Sequence, residues 1–171
     1  VLGAGGGWAK TVLFDDKLRR AFEDFFSKQL PVLGVCNGCQ MLSQLREIIP
    51  GAENWPCFER NNSGQFESRT VMVKVSGNSS PWLEGLSGCV VPVAVAHGEG
   101  RVEPRDLTGA VELDSLVAMR YVGPSDEPTE DYPYNPNGSL GGIAAITAAS
   151  GSILATVSYT HLTLPTSSQV G

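Results

Sequence analysis

The chain lacks any long apolar run. A bilayer-spanning helix needs about 20 consecutive apolar residues, and no stretch of this sequence approaches that, so no membrane partner is expected. Positive charge is also scarce. There are 12 Lys and Arg against 18 Asp and Glu, for a net charge of −6, and the densest basic stretch is only Leu18-Arg19-Arg20. Binding to nucleic acid calls for a concentrated positive field, so no nucleic-acid partner is expected, and the acidic balance speaks for solubility. Histidine occurs twice, at His97 and His161. The four cysteines, Cys36, Cys39, Cys57 and Cys89, show no disulfide-framework spacing. Free thiols in a reducing cytoplasm are the simpler expectation. The opening Val1-Leu2-Gly3-Ala4-Gly5-Gly6-Gly7-Trp8 has neither an initiator Met nor a charged n-region. It reads as the interior of a longer chain rather than as a signal peptide. No internal repeat is apparent.

What is present suits one globular domain. The length is 171 residues, with 42% apolar and 18% charged, enough to bury a sizeable core. Residues 3 to 8 read as a Gly-rich loop. Asp15 or Asp16 can cap a helix from about Lys17 to Lys28, with Leu18, Phe22, Phe25 and Phe26 near one face. Pro31 to Val35 has the character of a short buried parallel strand. A second helix, from about Gly38 to Ile49, carries Met41, Leu42, Leu45, Ile48 and Ile49 at helical spacing and ends at Pro50-Gly51. Strands follow: Val71 to Val75 by alternation, Cys89 to Ala96 as a central strand ending at a His97-Gly98-Glu99-Gly100 loop, and Val117 to Val122. Four prolines make Pro124 to Ser139 a long surface loop. Gly142 to Ala148 and Ser152 to Val157 form a hairpin turned at Ser150-Gly151. The mixture predicts an α/β sandwich around a mixed sheet.

The chemistry concentrates at Gly34-Val35-Cys36-Asn37-Gly38-Cys39-Gln40, directly after the apolar Pro31-Val32-Leu33. A strand running through a cysteine into a helix is the plan of a nucleophile elbow. Gly34 and Gly38 fit that plan where bulkier residues would clash. A helix N-terminus favours the anionic form of a thiol, and the N–H after the nucleophile, here that of Asn37, supplies one oxyanion donor. Other readings stand beside this one. A cysteine is often simply buried in a core. Cys36 and Cys39 have the spacing of a thiol redox pair, and a structural zinc site would need two further ligands that no second pair supplies. His97 and Glu99 would complete a Cys-His-carboxylate set on paper, yet the flanking glycines suit a substrate-lining loop equally well. A docking domain without chemistry is the remaining alternative.

The elbow resembles the Gly-x-Cys-x-Gly-x-Gln motif of class I glutamine amidotransferases. Four more segments narrow the resemblance: Val1 to Ala9, Arg60-Asn61-Asn62-Ser63-Gly64-Gln65-Phe66-Glu67-Ser68-Arg69, His97-Gly98-Glu99-Gly100-Arg101 and Asn135-Pro136-Asn137-Gly138-Ser139. Together they are similar to the C-terminal glutaminase domain of phosphoribosylformylglycinamidine synthases. The Trp8 segment and Cys39 point to the large single-chain type. The resemblance covers residues 1 to about 157. It implies a flavodoxin-like sandwich with a mixed, mainly parallel sheet whose first strand is missing. It also implies a ligase of purine biosynthesis in which Cys36 attacks glutamine, a thioester forms, and ammonia passes to a synthetase domain of the same full-length chain. On this resemblance Gln40, His97 and Gly98 line the glutamine pocket. No cofactor is implied in this domain; ATP and magnesium belong to the synthetase domain.

The chain also departs from that pattern. Before the segment matching Val1, the family has a strand, a helix and a Gly-Gly-Phe-Ser type loop that donates the second oxyanion contact. After Ile153-Leu154-Ala155-Thr156 the family continues Met-Pro-His-Pro-Glu-Arg, with His as general base and Glu orienting it. Here Val157-Ser158-Tyr159-Thr160-His161 follows, placing Tyr159 at the His position and His161 at the Glu position. The expectation is therefore a partial domain over 1–157, a non-native or disordered tail over 158–171, and little turnover.

Overall fold

Gly5, near the start of the chain, is a packing residue. In the computed structural model, which describes residues 3–77, 80–105 and 113–158, α1 (Ala4–Phe14) is a helix where a loop is expected from the Gly content. A Cβ on Gly5 would collide with the Asn37 carbonyl and stand 2.8 Å from Gln40 Cβ and 2.9 Å from Met41 N. The bare backbone lets α1 lie directly against α3 (Asn37–Gln44). That contact outweighs the low helix propensity of Gly, about 1 kcal/mol per residue against Ala. Ala9 and Val12 continue the buried stripe.

Asp15, not Asp16, caps α2 (Asp16–Ser27): its Oδ1 accepts from the N–H groups of Lys17 and Leu18, both at 2.9 Å. Phe26 is the buried anchor of α2 and meets Phe22 and Phe25 edge-on. The second expected helix is shorter than its apolar pattern. α3 stops at Gln44, and a separate turn of 3₁₀ helix spans Arg46–Ile48. Leu45, Ile48 and Ile49 still reach the core, because the tighter turn returns them to the same side.

Six strands form the main sheet: β1 (Val32–Val35), β3 (Glu67–Val75), β4 (Val90–His97), β6 (Val117–Tyr121), β7 (Ile143–Thr147) and β8 (Ile153–Thr156). Their order is β1-β8-β7-β6-β3-β4. The sheet is mixed, as expected, but among the described residues it is mainly antiparallel. Only β1 and β8 run parallel, whereas β3–β4, β3–β6, β6–β7 and β7–β8 are antiparallel. The short β7–β8 turn through Gly151, at φ 73°, forces its two strands to run opposite ways. The expected hairpin is thus present.

Two further strands escape the sequence pattern. β2 (Cys57–Arg60) and β5 (Glu99–Glu103) pair antiparallel in a small second sheet. Hence His97-Gly98-Glu99-Gly100 is not a loop. β4 ends at His97, Gly98 bends, and β5 begins at Glu99 in the other sheet. Pro124 to Ser139 is not simply a surface loop either. Asn135, Asn137 and Ser139 are buried. Asn137 Nδ2 donates to the Gly100 carbonyl at 2.8 Å, and Ser139 Oγ accepts from the Val102 N–H at 2.9 Å. These polar side chains satisfy backbone groups of β5 that no neighbouring strand covers.

The core runs continuously from α1 and α3 through the main sheet, with Trp55, Tyr121, Leu45 and Ile146 fully enclosed. Trp55 also donates its indole N–H to the Thr147 carbonyl at 2.9 Å. Val157 and Ser158 belong to this core. The Ser158 hydroxyl lies 3.3 Å from that of Tyr121, and the Ser158 carbonyl accepts from Thr156 Oγ1 at 2.9 Å. The rest of the expected tail, 159–171, with Tyr159 and His161, lies outside the described residues.

Candidate active site

β1 delivers the chain to the site. Strand alternation turns Gly34 toward α3. A Cβ there would strike the Leu42 side chain and approach the Gly38 carbonyl at 3.0 Å, so the tight approach requires glycine. Gly38 differs from the expectation. A Cβ on it would meet nothing within 4 Å, and its backbone is ordinary helix, so no steric demand for glycine exists there. The constraint falls instead on Cys36, whose φ of 53° and ψ of −112° are unusual for a residue with a side chain. Strain of this kind costs on the order of 1–3 kcal/mol and gathers at functional positions. Its backbone is tied on both sides. The Cys36 N–H donates to Thr156 O on β8 at 3.0 Å, and the Cys36 carbonyl accepts from Cys39 and Gln40 at 3.0 and 3.2 Å. Asn37 opens α3, so its N–H is one of the helix-start donors with no acceptor within the helix.

Cys36, Asn37, Gln40, His97 and Gly98, five of the residues singled out in the sequence, line one cavity of about 230 Å³. Gly34 and Gly38 do not line it. Phe66, Ala96 and Glu99 complete the wall. Phe66 is 66% exposed at the mouth. It lies in a segment that carries the resemblance, but its place beside the thiol depends on the β2–β3 turn, which no local pattern reveals.

The walls hold buried polar atoms with nothing to bind. His97 is only 2% exposed and Gln40 7%. Among the described residues, both ring nitrogens of His97 and the Oε1 of Gln40 lack a hydrogen-bond partner. Burying such atoms unpaired costs about 1–3 kcal/mol each. Burial lowers the His97 pKa to about 4, and the nearby Glu67 carboxylate opposes the shift only in part. The imidazole is therefore neutral near pH 7. Glu67 stands directly across from His97 in the β3–β4 register and is itself buried and ion-paired with Arg69. Arg69 in turn donates to Tyr132 Oη at 2.6 Å. Gly100 seats the ring on its other side, since a Cβ there would stand 2.9 Å from His97 Cε1. Glu67 is a partner of the site that sequence reading missed, because cross-strand register is invisible in the chain.

The paper triad does not assemble. Glu99 turns away from His97: its Oε2 accepts from Gln40 Nε2 at 2.8 Å and from the Gly3 N–H at 2.9 Å, tying the start of α1 to α3. Cys39 is buried, and burial, reinforced by the neighbouring Cys36, pushes its thiol well above the ordinary value. It is a core residue of α3, poorly suited to thiol exchange. All four cysteines are free thiols, and no helix among the described residues is long and apolar enough to cross a membrane.

Residues 1–167 match the family model described as CobB/CobQ-like glutamine amidotransferase domain. A solved structure titled PurLQS from Thermotoga maritima is similar at 25% identity and a TM-score of 0.57, over 75% of this chain. The likeness takes in 50% of that chain, so this protein spans about half the length of its structural relative. The chain belongs to the family of CobB/CobQ-like glutamine amidotransferase domains.

Proposed function

We propose that this domain is the glutaminase part of a phosphoribosylformylglycinamidine synthase, with Cys36 as its nucleophile. The unsatisfied pair of His97 and Gln40 beside Cys36 carries the reading. Glutamine offers an amide, a carboxylate and an ammonium, and its recognition rests on directional hydrogen bonds more than on apolar area. The likeness to PurLQS and the five segments in order support the assignment to the synthase.

The chemistry runs through one covalent intermediate. Cys36 Sγ bonds to the side-chain carboxamide carbon of glutamine, and the resulting oxyanion is held by the Asn37 N–H. The C–N bond then breaks and ammonia leaves, taking up the proton released by the thiol. Water attacks the thioester, the C–S bond breaks, and glutamate and the free thiol are regenerated. The ammonia is consumed in ATP- and magnesium-dependent amidation in a synthetase domain, in the cytoplasm. Exposed Trp8, Phe14 and Phe25 on α1 and α2 support a covering partner of this kind.

Turnover by the chain as it stands is low on this reading. Tyr159 and His161 stand where the resemblance puts the base and its orienting carboxylate, within a family match that runs to residue 167. Ammonia release from glutamine tests this directly. The expected rate is near the uncatalysed background, and the paired change Tyr159→His with His161→Glu raises it by about 10²-fold or more, the usual contribution of a general base. Ammonia release by the unchanged chain at a rate that the paired change does not improve would overturn the role given to that segment.

A further inference from the structure

A second, larger cleft adjoins the Cys36 cavity. It has a volume of about 620 Å³ and lies among α1, α3 and β2, sharing only Gln40 and Glu99 with the first. Its charge is the notable feature. Among the described residues, Arg19, Lys28, Arg69, Lys74, Arg101 and Arg120 have carboxylate partners. Of the six with none there, Lys10, Arg46 and Arg60 line this cleft, each from a different element, while Lys17, Arg20 and Arg105 lie outside it. The chain carries a net charge of −6, so carboxylates are plentiful, yet these cations are left free. Of the two carboxylates in the wall, Glu99 is already engaged by Gly3 and Gln40, leaving Glu59 against three positive groups.

We propose that this cleft binds a small organic phosphate, its dianionic group held by Lys10, Arg46 and Arg60. Arg46 donates one nitrogen to the Ser43 carbonyl at 2.8 Å, which fixes the guanidinium and leaves its other donors for the ligand. Two guanidinium groups and an ammonium lining one cleft from three different elements suit a tetrahedral, doubly charged group. Gly7 also lines the cleft, where a Cβ on it would meet nothing within 4 Å. The volume leaves room for an organic portion beyond the phosphate. This site is separate from the glutamine reading and does not depend on it.

Cys57 is a built-in reporter, since it lines the cleft while Cys89 is exposed outside it. The test is the rate of iodoacetamide alkylation at each cysteine, read by peptide mass spectrometry, with inorganic phosphate as the probe. Phosphate is expected to slow Cys57 saturably and to leave Cys89 unchanged, with potassium chloride of equal ionic strength having no such effect. Lys10→Ala and Arg60→Ala, both at exposed positions, each weaken that protection by about tenfold, the loss of one charge-assisted contact. Lys17→Ala, an unpaired cation outside the cleft, leaves it intact. A Cys57 rate indifferent to phosphate up to about 20 mM, a concentration beyond which binding is too weak to be specific, overturns the proposal. So does protection that survives the Lys10→Ala, Arg60→Ala double change. Neither readout passes through Cys36, so failure here leaves the glutaminase reading standing.

Discussion

Single residues decide the chemistry of this fold. Cys36 is reachable from the cavity, whereas Cys39 is sealed in the core with its thiol pushed up by burial. In an alkylation series Cys36 is expected to react first and Cys39 last, and a modified Cys39 in the folded protein would contradict the assignment. His97 gives a second expectation with a definite sign. Its pKa falls from an ordinary 6.5 to about 4 on folding, so the unfolded chain binds the proton more readily between those values. Its contribution to stability is complete above about pH 6.5 and is lost as pH falls toward 4, amounting to about 3 kcal/mol. Denaturant titrations of the protein and of His97→Gln at pH 7 and pH 4.5 measure it: the stability gap between the two pH values should shrink in the variant. The thiol and the imidazole were both legible in the sequence, because elbow and His-Gly-Glu-Gly segments announce themselves. Glu67 and Phe66 were not, because their approach to the site depends on strand register and on a turn between sheets.

At the scale of elements, small residues determine how the helices reach the sheet. Gly5 and Gly34 mark the two closest approaches to α3. Gly5→Ala pushes α1 off α3 and is expected to cost about 1–3 kcal/mol, the usual range for overpacking, although alanine is the better helix former. Thermal unfolding reads the sign directly: a higher melting temperature would show that α1 is not seated as described. Asp15→Ala removes both N-cap bonds of α2 and should cost about 1 kcal/mol, while Asp16→Ala costs less. The amphipathic α2 and the β7–β8 hairpin were readable, since periodicity and turn chemistry are local. α1 was not, because glycines signal a loop until a partner helix gives their bareness a use. β2 and β5 escaped because a short strand beside a bend has too few alternations to show a period.

For the molecule as a whole, α/β character was legible but strand direction was not. The sequence suggests buried parallel strands after an apolar run such as Pro31 to Val35, and β1 does run parallel to β8. The remaining pairings follow from turns and crossings whose direction composition does not encode. The architecture nonetheless converges on one place, where β1, α3 and the β4–β5 bend surround Cys36. The most direct test of that convergence is labelling by a chloroketone analogue of glutamine, mapped by mass spectrometry. A single adduct on Cys36 that free glutamine slows in a saturable way is expected. An adduct distributed over Cys57 and Cys89, or one on Cys36 that glutamine does not slow, would contradict it.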